Sequence, residues 1–283
     1  MLQFAIPNKG ALSETAIALL SEAGYRCKRS GRELIVTDKE NDIEFVFLRP
    51  RDIAIYVGNG IVDLGITGRD LTIDSSAPVT EVMPLGYGRS RFCFAVPKDS
   101  GLTVDMLNGK RIATSYPQLL KNELDKRGFT DTKIVKLDGA VEISIRLGVA
   151  DAIADVVESG ATLREAGLCI IGDPMLHSEA VLIGRNTEME QCPEVIRLLG
   201  RIRGIMLARE YAMIEYDVRR ADLDKCCCLT PGVESPTVSP MNNPDWVAVK
   251  SMILRKDSNR IMDELHDLGA KGIIITDIRS CRI

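Results

Sequence analysis

The composition of the 283-residue chain narrows the classes of protein to which it can belong. Hydrophobic residues make up 45% of the chain and charged residues 27%, which is typical of a folded α/β protein and argues against disorder. The net charge of −4 argues against nucleic-acid binding, which needs a basic surface. The first residues, MLQFAIPNKG, do not resemble an export signal, and no stretch approaches the ~18 apolar residues of a membrane helix, so we expect a cytoplasmic protein.

Three predicted strands in the first quarter of the chain each end at a basic residue. The strands are short apolar runs, and a helical pattern follows the first two of them. In open α/β sheets the carboxyl ends of parallel strands form the edge that binds ligands, so cations there favour phosphate groups. For any one of them alone, a solvated loop residue is the alternative. The strands are Gln3–Ile6, Ile43–Leu48 and Ile61–Thr67, and the basic residues are Lys9, Arg49 and Arg69.

A second α/β unit is predicted from about residue 91 onward. Arg91–Pro97, Arg111–Thr114 and Ile134–Leu137 have the pattern of strands, and a helical pattern follows the second of them. With the apolar run described next, they are expected to form a small parallel sheet. Residues 181–183 would return the chain to the first unit, so that two hinged lobes enclose a cleft.

One segment in the middle of the chain has the pattern of a phosphate-binding loop. The apolar run Ala152–Val157 predicts a strand, and a helix begins near Leu163 after a loop of small residues. Two carboxylates, Asp155 and Glu158, precede the loop amides and hydroxyls, which favours a sugar phosphate over a bare anion. An ordinary strand-to-helix turn with a capping hydroxyl is the alternative. The loop residues are Glu158, Ser159, Gly160, Ala161 and Thr162.

Beyond Cys192 the pattern changes to one long helix followed by a β-α-β-β-α-β order. A domain of about seventy residues is too small for a second enzyme and is typical of a regulatory or oligomerising module. The predicted elements are a helix at Pro193–Arg209, a strand at Tyr211–Asp217, a helix at Ala221–Cys227, an extended run at Ser235–Met241, a strand at Trp246–Leu254, a helix at Ser258–Leu268 and a strand at Gly272–Ile278.

Neither the cysteines nor the histidines form a recognisable catalytic or metal-binding motif. The eight cysteines lack C-x-x-C spacing, and the adjacent Cys226, Cys227 and Cys228 cannot all converge on one ion without strain, so we expect reduced thiols. The two histidines, His177 and His266, do not stand in a motif for nucleophilic catalysis. The sequence therefore argues against hydrolysis by a Ser-His or Cys-His pair.

Seven motifs in chain order together carry a family resemblance. They are PNKG, FLRPRDIAIYVGNG, DLGITGRDL, LDGAVEIS, LGVADAIADVVESGATL, TPGVESPTVSP with DWVAVK, and GAKGIIITDIR. Together they resemble ATP phosphoribosyltransferase of the long, self-regulated form, the first enzyme of histidine biosynthesis. The resemblance implies condensation of ATP with phosphoribosyl pyrophosphate to give phosphoribosyl-ATP and pyrophosphate, with Mg²⁺ required and histidine as feedback inhibitor.

The resemblance also implies a fold and an assembly. Two hinged, doubly wound α/β lobes, similar to type II periplasmic binding proteins, would precede a ferredoxin-like β-α-β-β-α-β domain. The first catalytic lobe would comprise residues 1–90 and 176–205, the second lobe residues 91–175, and the regulatory domain residues 211–283. A homohexamer in equilibrium with dimers is implied as well.

Site residues follow from the resemblance position by position. Asp155 is expected near the ribose hydroxyls and the loop that follows it near the phosphate, with Mg²⁺ held largely through substrate phosphates. Glu158 departs from the small residues that also occur in relatives, which leaves its role open. The expected catalytic residues are Lys9, Arg49 and Asp155; the substrate-binding residues are Arg69, Asp70, Glu158, Ser159, Gly160, Ala161 and Thr162; and the inhibitor-binding residues are Asp217, Val233, Ser235, Thr237 and Gly272.

Two other classes of protein share part of this pattern. A solute-binding protein would have the hinged lobes, but it should carry an export signal and has no use for the C-terminal domain. A purely regulatory amino-acid sensor would explain the C-terminal domain. It would not explain three cationic strand ends facing a sugar-phosphate loop.

Overall fold

The structure, a computed structural model, describes residues 1–186 and 191–282 of the chain. Contacts divide the chain into two compact units. The first contains Met1–Ser21 and the described residues from Tyr25 to Val195, and the second contains Glu22–Gly24 and the residues from Ile196 onward. Within the described ranges, no helix combines the length and the apolarity needed to cross a membrane.

The first unit contains strands β1 to β11 and helices α1 to α6, and helix α7 begins at its end. The strands are β1 (Leu2–Pro7), β2 (Ile35–Asp38), β3 (Ile43–Leu48), β4 (Leu64–Gly68), β5 (Thr80–Pro84), β6 (Ser90–Pro97), β7 (Arg111–Thr114), β8 (Lys133–Lys136), β9 (Ala152–Val157), β10 (Leu168–Ser178) and β11 (Ala180–Gly184). The helices are α1 (Ala11–Glu22), α2 (Pro50–Gly58), α3 (Arg69–Ser75), α4 (Pro117–Arg127), α5 (Ile143–Arg146), α6 (Ala161–Glu165) and α7 (Pro193–Glu210).

A six-stranded sheet in the order β2-β3-β1-β4-β11-β5 forms the first lobe, together with helices α1 to α3. Strand β1 pairs in parallel with β3 and with β4, and Pro7 stands opposite Leu48, so these three strands end at one edge of the sheet. Strand β11 pairs with β4 and β5, which confirms the predicted return of the chain at residues 181–183. Strand β5 was not predicted from the sequence, because TEVMP alternates weakly and ends in proline.

A five-stranded sheet in the order β10-β6-β9-β7-β8 forms the second lobe, together with α4 to α6. The expectation of a parallel sheet was wrong for β6, which runs antiparallel to both of its neighbours, β9 and β10. Only β7 pairs in parallel, with β8 and β9. Strand β10 was not predicted from the sequence, because glycine and proline interrupt its apolar pattern. Its pairing with β6 slips there, between Ile171 and Leu176.

The second unit has the predicted β-α-β-β-α-β order and an antiparallel sheet in the order β13-β14-β12-β15. Alternate residues of β12, including Tyr216 and Val218, pack with Ile261 and Leu265 of α9 in one core, so the helices cover one face of the sheet. After α7 the elements are β12 (Tyr211–Arg219), α8 (Leu223–Leu229), β13 (Thr237–Pro240), β14 (Trp246–Leu254), α9 (Ser258–Asp267) and β15 (Lys271–Asp277).

A buried hydrogen bond joins β12 to the residue that follows α8. The Tyr216 hydroxyl lies 2.8 Å from Thr230 Oγ1, and both residues are at most 2% exposed. Thr230 Oγ1 donates its own proton to the carbonyl oxygen of Cys226 at 3.2 Å, so the Tyr216 hydroxyl must be the donor between them. Burial raises the pKa of Tyr216 to about 12, so this donor keeps its proton at neutral pH.

Thr230→Val should destabilise the second unit, because it leaves the Tyr216 hydroxyl buried without an acceptor. An unpaired buried hydroxyl costs about 1–3 kcal/mol, and the free energy of unfolding should fall by that amount. Trp246 is the one tryptophan of the chain and lies in this unit. Urea denaturation monitored by its fluorescence therefore measures the unfolding of this unit directly. As a control, Thr276→Val on exposed β15 should change the free energy by less than about 0.5 kcal/mol; equal effects would contradict the role of Thr230.

Candidate functional site

Two of the expected basic residues lie exposed at the carboxyl edge of the first sheet. Lys9 follows β1, and Arg49 follows β3, which is its parallel neighbour. Arg49 occupies the position before α2 with extended backbone angles (φ −65°, ψ 137°), and Pro50 begins the helix. Parallel pairing therefore brings the two cations to the same edge, as the sequence pattern predicted.

Arg69, at the carboxyl end of β4, is already paired with carboxylates. Its Nε and one Nη lie 2.9 and 2.7 Å from the two carboxylate oxygens of Glu81, and that Nη also lies 3.3 Å from Glu179. The hydrogen bonds with Glu81 and the charge of both carboxylates raise the pKa of Arg69 above its usual range. A bidentate pair of this kind fixes the direction of the guanidinium but also neutralises much of its charge.

Asp70, the next residue, is buried rather than open to solvent. Its carboxylate accepts a hydrogen bond from Ser178 Oγ at 2.7 Å. The backbone N–H of Asp70 in turn donates a hydrogen bond to Ser178 Oγ at 3.0 Å. Burial raises the pKa of Tyr116 above its usual range, and the charge of Asp70 and a hydrogen bond to it add to the rise. Asp70 thus ties the end of β10 and the second lobe to the start of α3.

The predicted phosphate loop has the expected strand, loop and helix order. Strand β9 ends at Val157, and Gly160 adopts a left-handed conformation (φ 71°, ψ 13°) that favours glycine, directly before α6. Ser159 Oγ accepts a hydrogen bond from the Ala161 N–H at 3.4 Å. Thr162 is exposed, and the first amides of a helix have no acceptor within the helix. The loop therefore presents backbone donors and a hydroxyl to a ligand.

Two adjacent pockets meet at Val157 and Glu158, which line both. The first, about 340 Å³, contains the loop and joins it to carboxylates that precede it. The second, about 410 Å³, joins Glu158 of the second lobe to Arg69 of the first. Besides the two shared residues, the first is lined by Glu142, Asp155, Val156, Ser159, Gly160, Thr162 and Leu163, and the second by Arg69, Arg89, Ser90, Arg91, His177, Ser178 and Glu179.

Asp155 is a half-buried carboxylate of the first pocket. Burial raises its pKa, and repulsion from Glu142 adds to the rise. A hydrogen bond from the N–H of Val156 and the charge of Arg51 oppose it, and a hydrogen bond with Ser115 opposes it as well. Asp155 therefore sits in a partly desolvated position where a cation or a hydroxyl donor would be a favourable partner.

Four residues that line these pockets were not predicted as site residues from the sequence: Glu142, Arg89, Arg91 and His177. Glu142 lies within the motif LDGAVEIS, so a signal for it was present. The two arginines flank the start of β6, which had been interpreted only as a strand. His177 lies in β10, the strand that the sequence analysis missed, so its neighbours were not predictable.

Expected inhibitor residues lie on the sheet of the second unit. Asp217 Oδ2 is 3.6 Å from the place where a side chain on Gly272 would begin, so these two positions are neighbours. Thr237 pairs with Lys250, and Lys250 pairs with Glu215, two residues before Asp217 on the same face of β12. Asp217 and Thr237 therefore share the face opposite the helices. Ser235 and Val233 are exposed in the segment before β13.

No group of three or more His, Cys, Asp or Glu side chains in the described ranges is arranged to hold a metal ion. The adjacent cysteines of α8 differ in exposure: Cys226 is buried, Cys227 is half-buried and Cys228 is exposed. Burial raises the pKa of Cys226 and Cys227, which keeps both thiols protonated and poor as metal ligands.

Two family models match the chain in succession. The model described as "ATP phosphoribosyltransferase" matches residues 49–204, and the model described as "HisG, C-terminal domain" matches residues 208–280. The first covers the two pockets, and the second covers β12 to β15.

Relatives and one solved structure agree with these models. ATP phosphoribosyltransferases of Pseudarthrobacter chlorophenolicus and Salinibacter ruber are 56% and 55% identical to this chain, and each alignment covers all of both proteins. The structure described as "ATP phosphoribosyl transferase (HisG:HisZ) complex from Thermotoga maritima" superposes with a TM-score of 0.61 at 27% identity, covering 72% of this chain and 97% of that one. The chain therefore belongs to the ATP phosphoribosyltransferase family, in the long form that carries the HisG C-terminal domain.

Proposed function

We propose that the chain condenses ATP with phosphoribosyl pyrophosphate in the two adjacent pockets, and that histidine regulates the reaction through the second unit. The observation that carries the catalytic assignment is the position of Glu158. It lies on the loop of the second lobe and lines the same pocket as Arg69 of the first lobe. A ligand with a phosphate and a pyrophosphate would therefore contact both lobes.

The loop pocket suits the 5-phosphate and ribose of phosphoribosyl pyrophosphate. The amides and hydroxyls of Ser159, Gly160, Ala161 and Thr162 supply donors for a phosphate, and the start of α6 adds its positive dipole end. Asp155, in the strand before the loop, accepts hydrogen bonds from ribose hydroxyls in this assignment. Glu158 lines both pockets and in this assignment separates the site of the 5-phosphate from the site of the pyrophosphate.

The first lobe suits the pyrophosphate and the nucleotide. Lys9 and Arg49 are assigned to the phosphates, because they are exposed cations on one sheet edge. Arg69 takes part while held by Glu81 and Glu179, which limits its net attraction for anions. Asp70 is assigned to the nucleotide side of the site. Because it is buried, it contributes by holding Ser178 and Tyr116 in place through hydrogen bonds.

The reaction requires little acid–base chemistry. The attacking N1 atom of adenine carries no proton, and the bond that breaks joins the anomeric carbon to pyrophosphate. The protein must hold the two substrates in line and neutralise the leaving group, which Lys9 and Arg49 can do by charge alone. The partly buried Asp155 can stabilise positive charge that develops on the ribose ring.

Mg²⁺ fits this site as an ion held mainly by substrate phosphates. The two carboxylates of the loop pocket, Glu142 and Asp155, are the oxygen ligands that the chain itself would offer. When bound, Mg²⁺ would neutralise charge on the departing pyrophosphate. The raised pKa of Asp155 agrees with a carboxylate that gains from a nearby cation.

Histidine is assigned to the sheet face that carries Asp217 and Thr237. Asp217 is the natural partner of an amino group or a protonated imidazole, and Gly272 leaves space beside it. Ser235 and Val233 precede the same edge strand and complete the pocket in this assignment. Inhibition would act by favouring a less active arrangement of lobes or of subunits in a dimer or hexamer, with a coupling of about 1–3 kcal/mol. We place the enzyme in the cytoplasm, where ATP is available.

The proposal is tested by mixing the purified chain with ATP, Mg²⁺ and phosphoribosyl pyrophosphate. Pyrophosphate release together with ATP substituted at N1 is the expected result. Release of pyrophosphate without the substituted nucleotide would mean hydrolysis and would contradict the proposal. Omission of Mg²⁺, and separately of ATP, should abolish both products.

Asp155→Asn and Thr162→Ala should each lower kcat/KM for phosphoribosyl pyrophosphate by about ten- to a hundredfold. Loss of a charged or hydroxyl partner in a partly desolvated site costs about 1.5–3 kcal/mol, which accounts for that range. Steady-state kinetics measure the loss, and thermal melting checks the fold. Asp131→Asn and Thr130→Ala make the same changes on exposed residues of the second lobe and should keep the wild-type rate. Wild-type rates in the site variants would exclude the loop from the reaction.

Asp217→Ala should raise the histidine concentration for half-inhibition at least about tenfold, because one charged hydrogen bond is lost. The measurement is the inhibition curve of the full chain at fixed substrate concentrations. Asp224→Ala, an exposed carboxylate on α8, is the matched control and should leave the curve unchanged. Full histidine sensitivity in Asp217→Ala would place the inhibitor elsewhere.

A further inference from the structure

One carboxylate of the first lobe caps a helix of the second lobe. Asp74 lies near the end of α3, and its Oδ1 accepts hydrogen bonds from the backbone N–H groups of Gln118 and Leu119 at 2.9 and 3.1 Å. These are the second and third residues of α4, the positions that a capping side chain normally serves. The contact thus crosses between the two lobes of the first unit.

Helix α4 has no side-chain cap of its own. Tyr116 occupies the position before the helix, with φ −124° and ψ 68°, and makes no capping hydrogen bond. Pro117, the first helical residue, has no N–H, so Gln118 and Leu119 carry the first amides that need an acceptor. The negative charge of Asp74 also suits the positive end of the helix dipole. The first lobe therefore supplies what the local sequence of α4 lacks.

The second oxygen of Asp74 connects to Tyr116 through Arg51. Arg51 Nη1 lies 3.3 Å from Asp74 Oδ2, and the same guanidinium lies over the Tyr116 ring at 4.6 Å. The Asp74 side chain is only 10% exposed, whereas the Arg51 side chain is 46% exposed, so solvent reaches the ion pair from the guanidinium side. Beside it, Ile73 packs against the core of the second lobe. The contact combines a cap, an ion pair and apolar packing.

We propose that Asp74 is a latch that holds the two lobes closed and positions Tyr116 beside Asp70. The lobes are joined by residues 85–89 and by Glu179, two short crossings that allow a hinge motion. Opening of that hinge would separate Asp74 from the amides of α4, and it would also separate Asp70, at the start of α3, from Tyr116. Asp74 is a positioning residue in this proposal, because it acts through α4. The latch follows from the two-lobed fold and does not depend on the assignment of substrate-binding residues.

Two variants separate the parts of the latch. Asp74→Asn keeps the size of the side chain and one acceptor oxygen but removes the charge that pairs with Arg51. Asp74→Ala removes both contacts. The matched control is Asp63→Asn, because Asp63 accepts the N–H of Gln3 at 2.8 Å entirely within the first lobe.

The first measurement is the distance between fluorophores on non-natural side chains at Arg32 and Asp99, exposed residues of different lobes. The wild type and Asp63→Asn should give one narrow distribution. Both Asp74 variants should add a longer-distance population at least about tenfold larger than in the wild type. If Asp74→Ala does not fold, the isosteric Asp74→Asn decides the outcome. A wild-type distribution in the folded Asp74→Asn variant would overturn the latch.

The second measurement separates a latch from a merely structural role. Because an open cleft lowers the fraction of binding-competent enzyme, KM for both substrates should rise several-fold in Asp74→Asn while kcat changes less. Amide hydrogen exchange at Gln118 and Leu119 should become at least about tenfold faster in Asp74→Ala. A fall in kcat at unchanged KM, with unchanged exchange at these amides, would contradict the proposal even if the assigned reaction is correct.

Discussion

The parallel pairing of β1 with β3 and β4 is the constraint on which the catalytic part depends. Backbone hydrogen bonds hold these strands in a fixed register, with Pro7 opposite Leu48, so the residues that follow them must lie together. Lys9, Arg49 and Arg69 are far apart in sequence and come to one edge of the sheet only because the three strands end there. Burial of both faces of β4 makes that register costly to shift, since a slip would expose its apolar residues.

Charge at this edge is balanced rather than simply positive. Arg69 is bound by Glu81 and Glu179, whereas Lys9 and Arg49 remain exposed. Lys9 and Arg49 line neither of the two pockets, so a polyanion in the second pocket would meet Arg69, Arg89 and Arg91 beside Glu158 and Glu179. Such an arrangement favours a ligand whose charge is partly neutralised by a metal ion, which agrees with the proposed role of Mg²⁺.

The second unit is organised by the alternation of its strands. On β12, Ile214 and Tyr216 face the helices, and Glu215 and Asp217 face the other way. One face of the sheet therefore packs in the core. The buried hydrogen bond between Tyr216 and Thr230 holds the residue that follows α8 against that face. The opposite face mixes polar residues such as Glu215 and Asp217 with apolar ones such as Met213 and Ile274. Residues on this face could vary without disturbing the core.

The sequence by itself determined most of the elements and the family. Continuous apolar runs such as Ala152–Val157 predicted strands at the bounds that the structure has, because hydrophobic periodicity is a local property. The alternation of β12 and the order of elements after α7 likewise predicted the antiparallel domain. What failed was nonlocal or irregular: β5 and β10 were missed, and the direction of β6 in its sheet was not predictable, since strand direction depends on connections elsewhere. Only the tertiary structure decided that Arg69 is paired with Glu179, that Asp70 is buried against Ser178, and that Asp74 caps a helix of the other lobe. Each of these contacts joins residues more than 40 positions apart, and no local pattern in the chain encodes them.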